Sequence, residues 1–458
     1  MELIKKRGKE IKSLIAGQRG TVIVYVGILI LVLIGFAALA VDIGHLYVAR
    51  NELQNAADAG ALAGAHELYL NNGTAVNPGA NQVGYDTARA NNSQNLAVEV
   101  NWTPGTNIGT DVERGHWSFT YRQFTPSNNL NAIRIGDYTT EELDKNRAND
   151  GTFIDLVNAV RVKTRREASP VSLTFARIFG FATYPVTAEA VAYIGFAGTL
   201  KPFEVKQPVA ICEESILDVN GKLTCGVGRF INSGQNVGHQ TGGWTNFTQP
   251  CQTASTPTVR PLVCGEGNPG PLTLGQGIGT TGGEIETAFD QLRTCWHNAL
   301  YDTNGDNSPD TLIDTNGDGW PEHLWRLTLP VIACPGNNTS NCATLKGAVT
   351  LDVIWITRND KNQENEVPKL MEGWSCNQNS YSPPLTNHEC WYGRSGVFVG
   401  FAEFFNLRDV LNNSSAIYED KTIYFKPDCS PHIPSGGTGG HNFGILADIP
   451  VLVAPPRN

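Results

Sequence analysis

The sequence predicts an α+β fold: one N-terminal transmembrane helix continuing into a stem helix packed on an antiparallel sheet, then a disulfide-pinned, β-rich domain. Three observations lead there. Residues 21–41 carry no charged side chain and run without a break into a helical pattern that lasts to residue 70. Between residues 97 and 194 come short segments that alternate or are rich in β-branched and aromatic residues. All ten cysteines lie beyond residue 200.

The uncharged run is long enough to cross a hydrocarbon core of about 30 Å as a helix rising about 1.5 Å per residue. A helix satisfies its own backbone polar groups, which a bilayer requires. A cleaved secretory signal has a shorter apolar core of about 7–15 residues, so the run reads as a retained anchor over residues 20–42. Lys5, Lys6, Arg7, Lys9, Lys12 and Arg19 precede it, against Glu2 and Glu10. That excess keeps the tail, residues 1–19, cytoplasmic and places the bulk of the chain outside. The formal net charge is −10; an acidic exterior offers no broad basic surface to nucleic-acid phosphates.

Past the span, Leu46, Leu53 and Ala57 share a helical face that Ala61 and Ala65 continue as a small-residue stripe. Span and stem together make a helix about 75 Å long. Asn71-Asn72-Gly73 ends it. A short helix is expected at 82–90, strands at 97–102, 116–124, 157–164 and 186–194, and a short helix or turn at 171–179. Residues 43–197 then form one α+β domain.

Several of these segments resemble the N-terminal domain of TadG-like proteins of the tight-adherence (Flp) pilus assembly system of bacteria. The resemblance rests on Val41-Asp42-x-Gly44-x-x-Tyr47-x-x-Arg50, Leu53-Gln54-x-Ala56-Ala57-Asp58-Ala59, Gly115-His116-Trp117, Asn158-Ala159-Val160-Arg161-Val162 and Ala188-Glu189-Ala190-Val191-Ala192. It extends to Pro170-Val171-x-Leu173-x-Phe175-Ala176-Arg177-Ile178-Phe179-Gly180. It implies a membrane-anchored, exported component in a bacterial inner membrane, with pilus assembly proteins or pilins as partners, a homo-oligomer compatible with it, and no catalytic site. Prepilin-like relatives carry a processing glycine followed by glutamate at the fifth mature position; here Gly20 is followed by Tyr25.

Composition changes after residues 195–201. Residues 198–458 hold all the cysteines and many Gly, Asn, Thr and Pro residues, with strands expected at 205–211, 327–333, 348–357, 396–405 and 445–453 and a helix at 283–292. An even cysteine number outside the membrane points to disulfides. Ten cysteines allow about 945 pairings; Cys334–Cys342 and Cys376–Cys390 are the short-range closures expected. Gly277-Ile278-Gly279-Thr280-Thr281-Gly282 has the Gly-x-Gly-x-x-Gly spacing, but turn residues precede it where a dinucleotide site needs a buried strand, so it reads as a glycine-rich loop.

One motif carries chemistry. Asp302-x-Asn304-x-Asp306 with Asp310, and twelve residues on Asp314-x-Asn316-x-Asp318 with Glu322, place oxygen ligands at relative positions 1, 3, 5 and 9. A hard Ca²⁺ ion takes six to eight such ligands, and this spacing folds them around one centre. Position 12 is Ile313 or Trp325 instead of the glutamate of an EF-hand, so the pair resembles the calcium loops of dockerins or thrombospondin type 3 repeats. The expected cofactor is Ca²⁺ in a structural role over residues 302–322.

His66-Glu67 and His388-Glu389 lack the second histidine of a zinc hydrolase, and neither a Gly-x-Ser-x-Gly elbow nor a Walker loop occurs. Together with the resemblance, which implies an assembly or adhesion component, the sequence is expected to be non-enzymatic. A filament-forming pilin-like subunit and an exported calcium-dependent enzyme are the other classes open to it.

Overall fold

The computed structural model describes residues 2–70, 73, 75–133, 156–217, 223, 225, 229–232, 241–282, 285–301, 324–337, 339–356, 406–407, 422–426, 429–444 and 446–453. Helix α1 (Glu2–His66) runs unbroken, as expected of a stretch without proline. From Val22 to Val41 it exposes large apolar side chains on every side. It is long and apolar enough to cross a membrane. Beyond Asp42 the pattern changes: Ala49, Leu53, Ala56, Ala57, Ala61 and Ala65 are wholly buried along one stripe.

Helix α2 (Ala80–Arg89) crosses α1 where both carry glycine. A Cβ built on Gly60 would stand 2.8 Å from the Gly84 carbonyl oxygen and 2.9 Å from Ala88 Cβ, so this crossing has no room for a side chain. Behind the helices lies an antiparallel sheet of β1 (Val112–Ser118), β2 (Gln123–Pro126), β3 (Ala159–Ser172), β4 (Thr183–Phe196) and a closing strand, Asp448–Val453. Its order is closing strand, β4, β3, β1, β2. Along β4, Val186, Ala188, Ala190, Ala192 and Ile194 join the core under α1, while Val191 and Tyr193 pack with Trp117 and Phe124 on the other face. This is the period-two alternation of a strand covered on both sides. Gln54 Nε2 donates to the Glu189 carbonyl at 3.1 Å and Thr164 Oγ1 to the Leu53 carbonyl at 2.8 Å, which fixes α1 in register on the sheet.

Three sequence expectations differ here. The helix expected to last to residue 70 ends at His66, and Tyr69–Leu70 forms a two-residue strand paired with Ala75–Val76. The strand expected at 116–124 is a hairpin: β1 ends at Ser118, and the chain turns through Arg122, whose φ is 51°, into β2. The segment 97–102 contributes only its first residue to a two-residue strand, Leu96–Ala97, and a single bridge from Glu99 to Arg165.

The second unit is built on β5 (Val209–Cys212), β6 (Arg229–Asn232), β7 (Thr241–Thr245), β8 (Gly277–Thr281), β9 (Trp325–Ile332), β10 (Cys342–Ile356) and β11 (Thr422–Phe425), with helix α3 (Glu286–Tyr301) on its core. The pairings β5–β9–β10–β11–β6–β7 return to β5, and β8 spans β7 and β10. A closed circuit leaves few open edges. Phe289, Leu292 and Trp296 of α3 fill the core beside Trp244, Val331 and Val353. The Gly-x-Gly segment is strand β8, not a loop: a side chain on Gly277 would collide with both sulfurs of the Cys251–Cys342 bridge.

Four disulfides join Cys212 to Cys334, Cys225 to Cys429, Cys251 to Cys342 and Cys264 to Cys295. The expected Cys334–Cys342 closure is thus replaced. Sheet register explains it: Cys334 follows β9 beside β5, where Cys212 sits, while Cys342 pairs with Gly279 of β8, beside Cys251. Cys376, Cys390 and the strand expected at 396–405 lie outside the described residues.

The closing strand pairs with β4, Asp448 opposite Phe196 and Val453 opposite Val191. The second unit is therefore inserted between two neighbouring strands of the first sheet. It leaves from the end of β4 remote from the apolar run.

Asp448 sits at that exit, 5% exposed, and its Oδ1 has no hydrogen-bond partner among the described residues. Burial pushes its carboxyl well above the usual carboxylate range. A raised folded-state pKa means the folded chain binds the proton more tightly, so stability is full below the unfolded value of about 3.9 and declines as pH rises toward the folded value. Asp448→Asn is expected to raise the melting temperature at pH 7, with the gain shrinking toward pH 4. Melting curves across that range check it.

Candidate functional site

The described residues converge on one unusual place, the junction where α1 leaves its apolar run. Asp42 is the first charged residue after that run and is 3% exposed. Its Oδ1 accepts the backbone N–H of Thr174 at 2.7 Å; its Oδ2 accepts those of Phe175 at 2.9 Å and Ala176 at 2.6 Å. These three amides open the 3₁₀ turn Ala176–Phe179 at the tip of the β3–β4 hairpin. A carboxylate suits the unpaired amides at a helical N-terminus. The turn closes on Gly180, whose φ of 91° favours glycine.

A second carboxylate holds the same hairpin higher up. Glu99 accepts the N–H groups of Glu167, Ala168 and Ser169 and the Ser169 hydroxyl, at 2.6–2.9 Å, across a register shift between Arg166 and Val171. Burial alone would raise the Glu99 carboxyl; these four hydrogen bonds outweigh it and draw it down to about 2. Ion pairs from Arg161 to Glu113 and from Arg165 to Asp111 lock β3 to β1.

Between α1 and β4, next to the clamp, lies an open groove of about 460 Å³ walled by Ile43, Tyr47 and Arg50 on one side and Tyr184, Pro185 and Thr187 on the other. Its surface is apolar and aromatic with one cation, suited to binding rather than to proton transfer.

The expected calcium ligands Asp302, Asn304, Asp306, Asp310, Asp314, Asn316, Asp318 and Glu322 all lie outside the described residues. Cys212, Cys334 and Glu214 lie close together, but the two cysteines form a disulfide and present no thiolate to a metal. In sequence Asp42 stands only as part of a family-like motif, and nothing around Glu99 marks it. The available signal for Asp42 is its place as the only charge between Arg19 and Arg50.

Residues 20–67 match the family model described as Flp pilus-assembly TadE/G-like, and residues 63–192 match the one described as Tad-like Flp pilus-assembly. The chain carries a TadE/G-like Flp pilus-assembly unit. The two matches meet at the end of α1, so the TadG-like unit takes in the apolar run, the stem, α2 and most of the sheet. No curated protein and no solved structure matches the chain. Within the TadG-like unit the clamp joins the two matched stretches, Asp42 from the first and 174–176 from the second.

Asp42→Ala removes three charge-assisted hydrogen bonds, each worth about 1.5–3 kcal/mol at most. The expected result is faster hydrogen exchange at Thr174, Phe175 and Ala176 with the sheet's protection retained. Exchange by mass spectrometry on the full chain checks it.

Proposed function

We propose that the protein is a membrane-anchored, exported assembly component of a Tad/Flp-type pilus system. In this reading the apolar part of α1 spans the bacterial inner membrane with its N-terminus in, the TadG-like unit stands directly on the outer face, and the disulfide-bonded unit is displayed beyond it. The observation that carries the reading is the insertion of the second unit at the end of the sheet remote from the apolar run, in a chain whose first unit matches Flp pilus-assembly families. A contact surface held away from the bilayer suits engagement of pilins, other pilus assembly proteins or an adhesion target. The role is structural, in keeping with the matched families. Four long-range disulfides suit an oxidising compartment outside the cytoplasm.

Deleting the gene should abolish Flp-type pili, and the full chain should restore them. A chain lacking 198–447 should still reach the membrane without restoring pili. Electron microscopy of the cells decides; unchanged piliation on deletion contradicts the proposal.

Calcium belongs to the same reading. The Asp-x-Asn-x-Asp pair connects the end of α3 at Tyr301 to the start of β9 at Trp325, so an ion there would tie two parts of one core together. Calorimetry on the full chain in detergent should give stoichiometric Ca²⁺ binding and a melting temperature that drops with chelator. Asp314→Ala with Asp318→Ala should remove both effects.

A further inference from the structure

The hairpin tip held by Asp42 is the most apolar exposed feature of the sheet unit. Ile178 is 81% exposed, Phe179 80% and Phe181 64%, and Tyr184 follows on the rising strand. Side chains of this size are ordinarily buried, and several together on one tip mark a contact surface. Nothing in the turn requires them, since its backbone is organised by Asp42 and Gly180.

The position of the tip identifies what covers it. Asp42 ends the charge-free run, and its carboxylate holds residues 174–176 at that level, with 177–181 as the extremity of the hairpin. On the reading of α1 as the anchor, which this inference takes over from the proposed function, that level is the boundary between hydrocarbon and headgroups. Tyr47 lies about 8 Å further along α1, within the headgroup layer. Tyr47 and Tyr184 flank the groove there, as aromatic side chains do at membrane interfaces. Between residues 171 and 187 the only charge is Arg177, and the groove's charge is Arg50. Both are cations and both are exposed, placed to meet anionic lipid headgroups as interfacial segments do.

We propose that the β3–β4 tip, through Ile178, Phe179 and Phe181, inserts into the outer leaflet beside the span as a second, non-spanning membrane contact. Two contacts joined by the Asp42 clamp would fix the tilt and rotation of the stem, which a single helix leaves free. The sheet unit then stands in one orientation on the membrane.

The test uses the full chain in vesicles of phosphatidylethanolamine and phosphatidylglycerol. Phe179 is replaced by a benzophenone-bearing phenylalanine analogue, and in separate chains so are Leu31 in the apolar run and Tyr121 in the β1–β2 turn; all three side chains are exposed. On irradiation, Leu31 reports the anchor, and Tyr121 lies at the opposite end of the sheet. Lipid adducts at Phe179 approaching those at Leu31, and about tenfold above those at Tyr121, are expected. Lipid adducts at Leu31 with none at Phe179 overturn the insertion while leaving the anchor intact. Protein adducts at Phe179 overturn it in favour of a partner chain or a second copy on the tip. An absence of lipid adducts at Leu31 overturns anchor and insertion together.

Discussion

Helix α1 reaches the sheet through side chains no larger than they need to be, and the rest of the first unit is arranged around that contact. Ala56, Ala57, Ala61 and Ala65 share one core with Ala188, Ala190 and Ala192 of β4, and Leu46, Leu53 and Leu62 are the large side chains that α1 adds to it. Gly60 and Gly64 admit α2 and Val160 so closely that any Cβ would meet them within 3 Å. Close approach of helix and sheet trades the burial available to large side chains for a long seam with many short contacts. Helix α1 passes from its exposed apolar run into the spine of the folded unit without a break at Asp42. The Asp42 clamp stands at that point and replaces packing by charge-assisted hydrogen bonds to backbone amides, which do not demand apolar surface.

The second unit solves its stability differently. Several of its strands are only four or five residues long, and three of the pairings between them, β5–β9, β6–β7 and β7–β8, involve just two residue pairs each among the described residues. Its disulfides close sequence separations of 31 to 204 residues, and cross-links over long loops restrict the unfolded chain most, by about 3–5 kcal/mol each in the chain-entropy picture. The first unit contains no cysteine and relies on its seam. Because the inserted unit enters and leaves by adjacent strands, its orientation is transmitted through two hydrogen-bonded strands and not through a flexible linker.

Local pattern made the first unit largely readable. The uncharged run, the small-residue stripe and the alternation of β4 each express a single element's surroundings in its own residues. What escaped was non-local. The β1–β2 turn is hidden because Phe119 and Tyr121 continue the aromatic alternation through it. The place of the closing strand depends on β4, some 250 residues earlier. Disulfide partners follow sheet register, which spacing along the chain does not encode, so Cys334 and Cys342 look like a pair and are not one. The clamp pairs one carboxylate with backbone amides 132 to 134 residues away, and amides leave no mark in a sequence. The calcium loops are the reverse case, plain in sequence and outside the described residues.

The central claim is that one rigid unit connects the bilayer to a displayed second unit. From Asp42 to His66 the stem spans about 36 Å. Single-particle imaging of the full chain in lipid nanodiscs measures the separation directly. The account predicts that the disulfide-bonded unit sits in one orientation with its near edge roughly that far from the bilayer surface. Density for that unit lying against the bilayer, or smeared over many orientations about the stem, would contradict it.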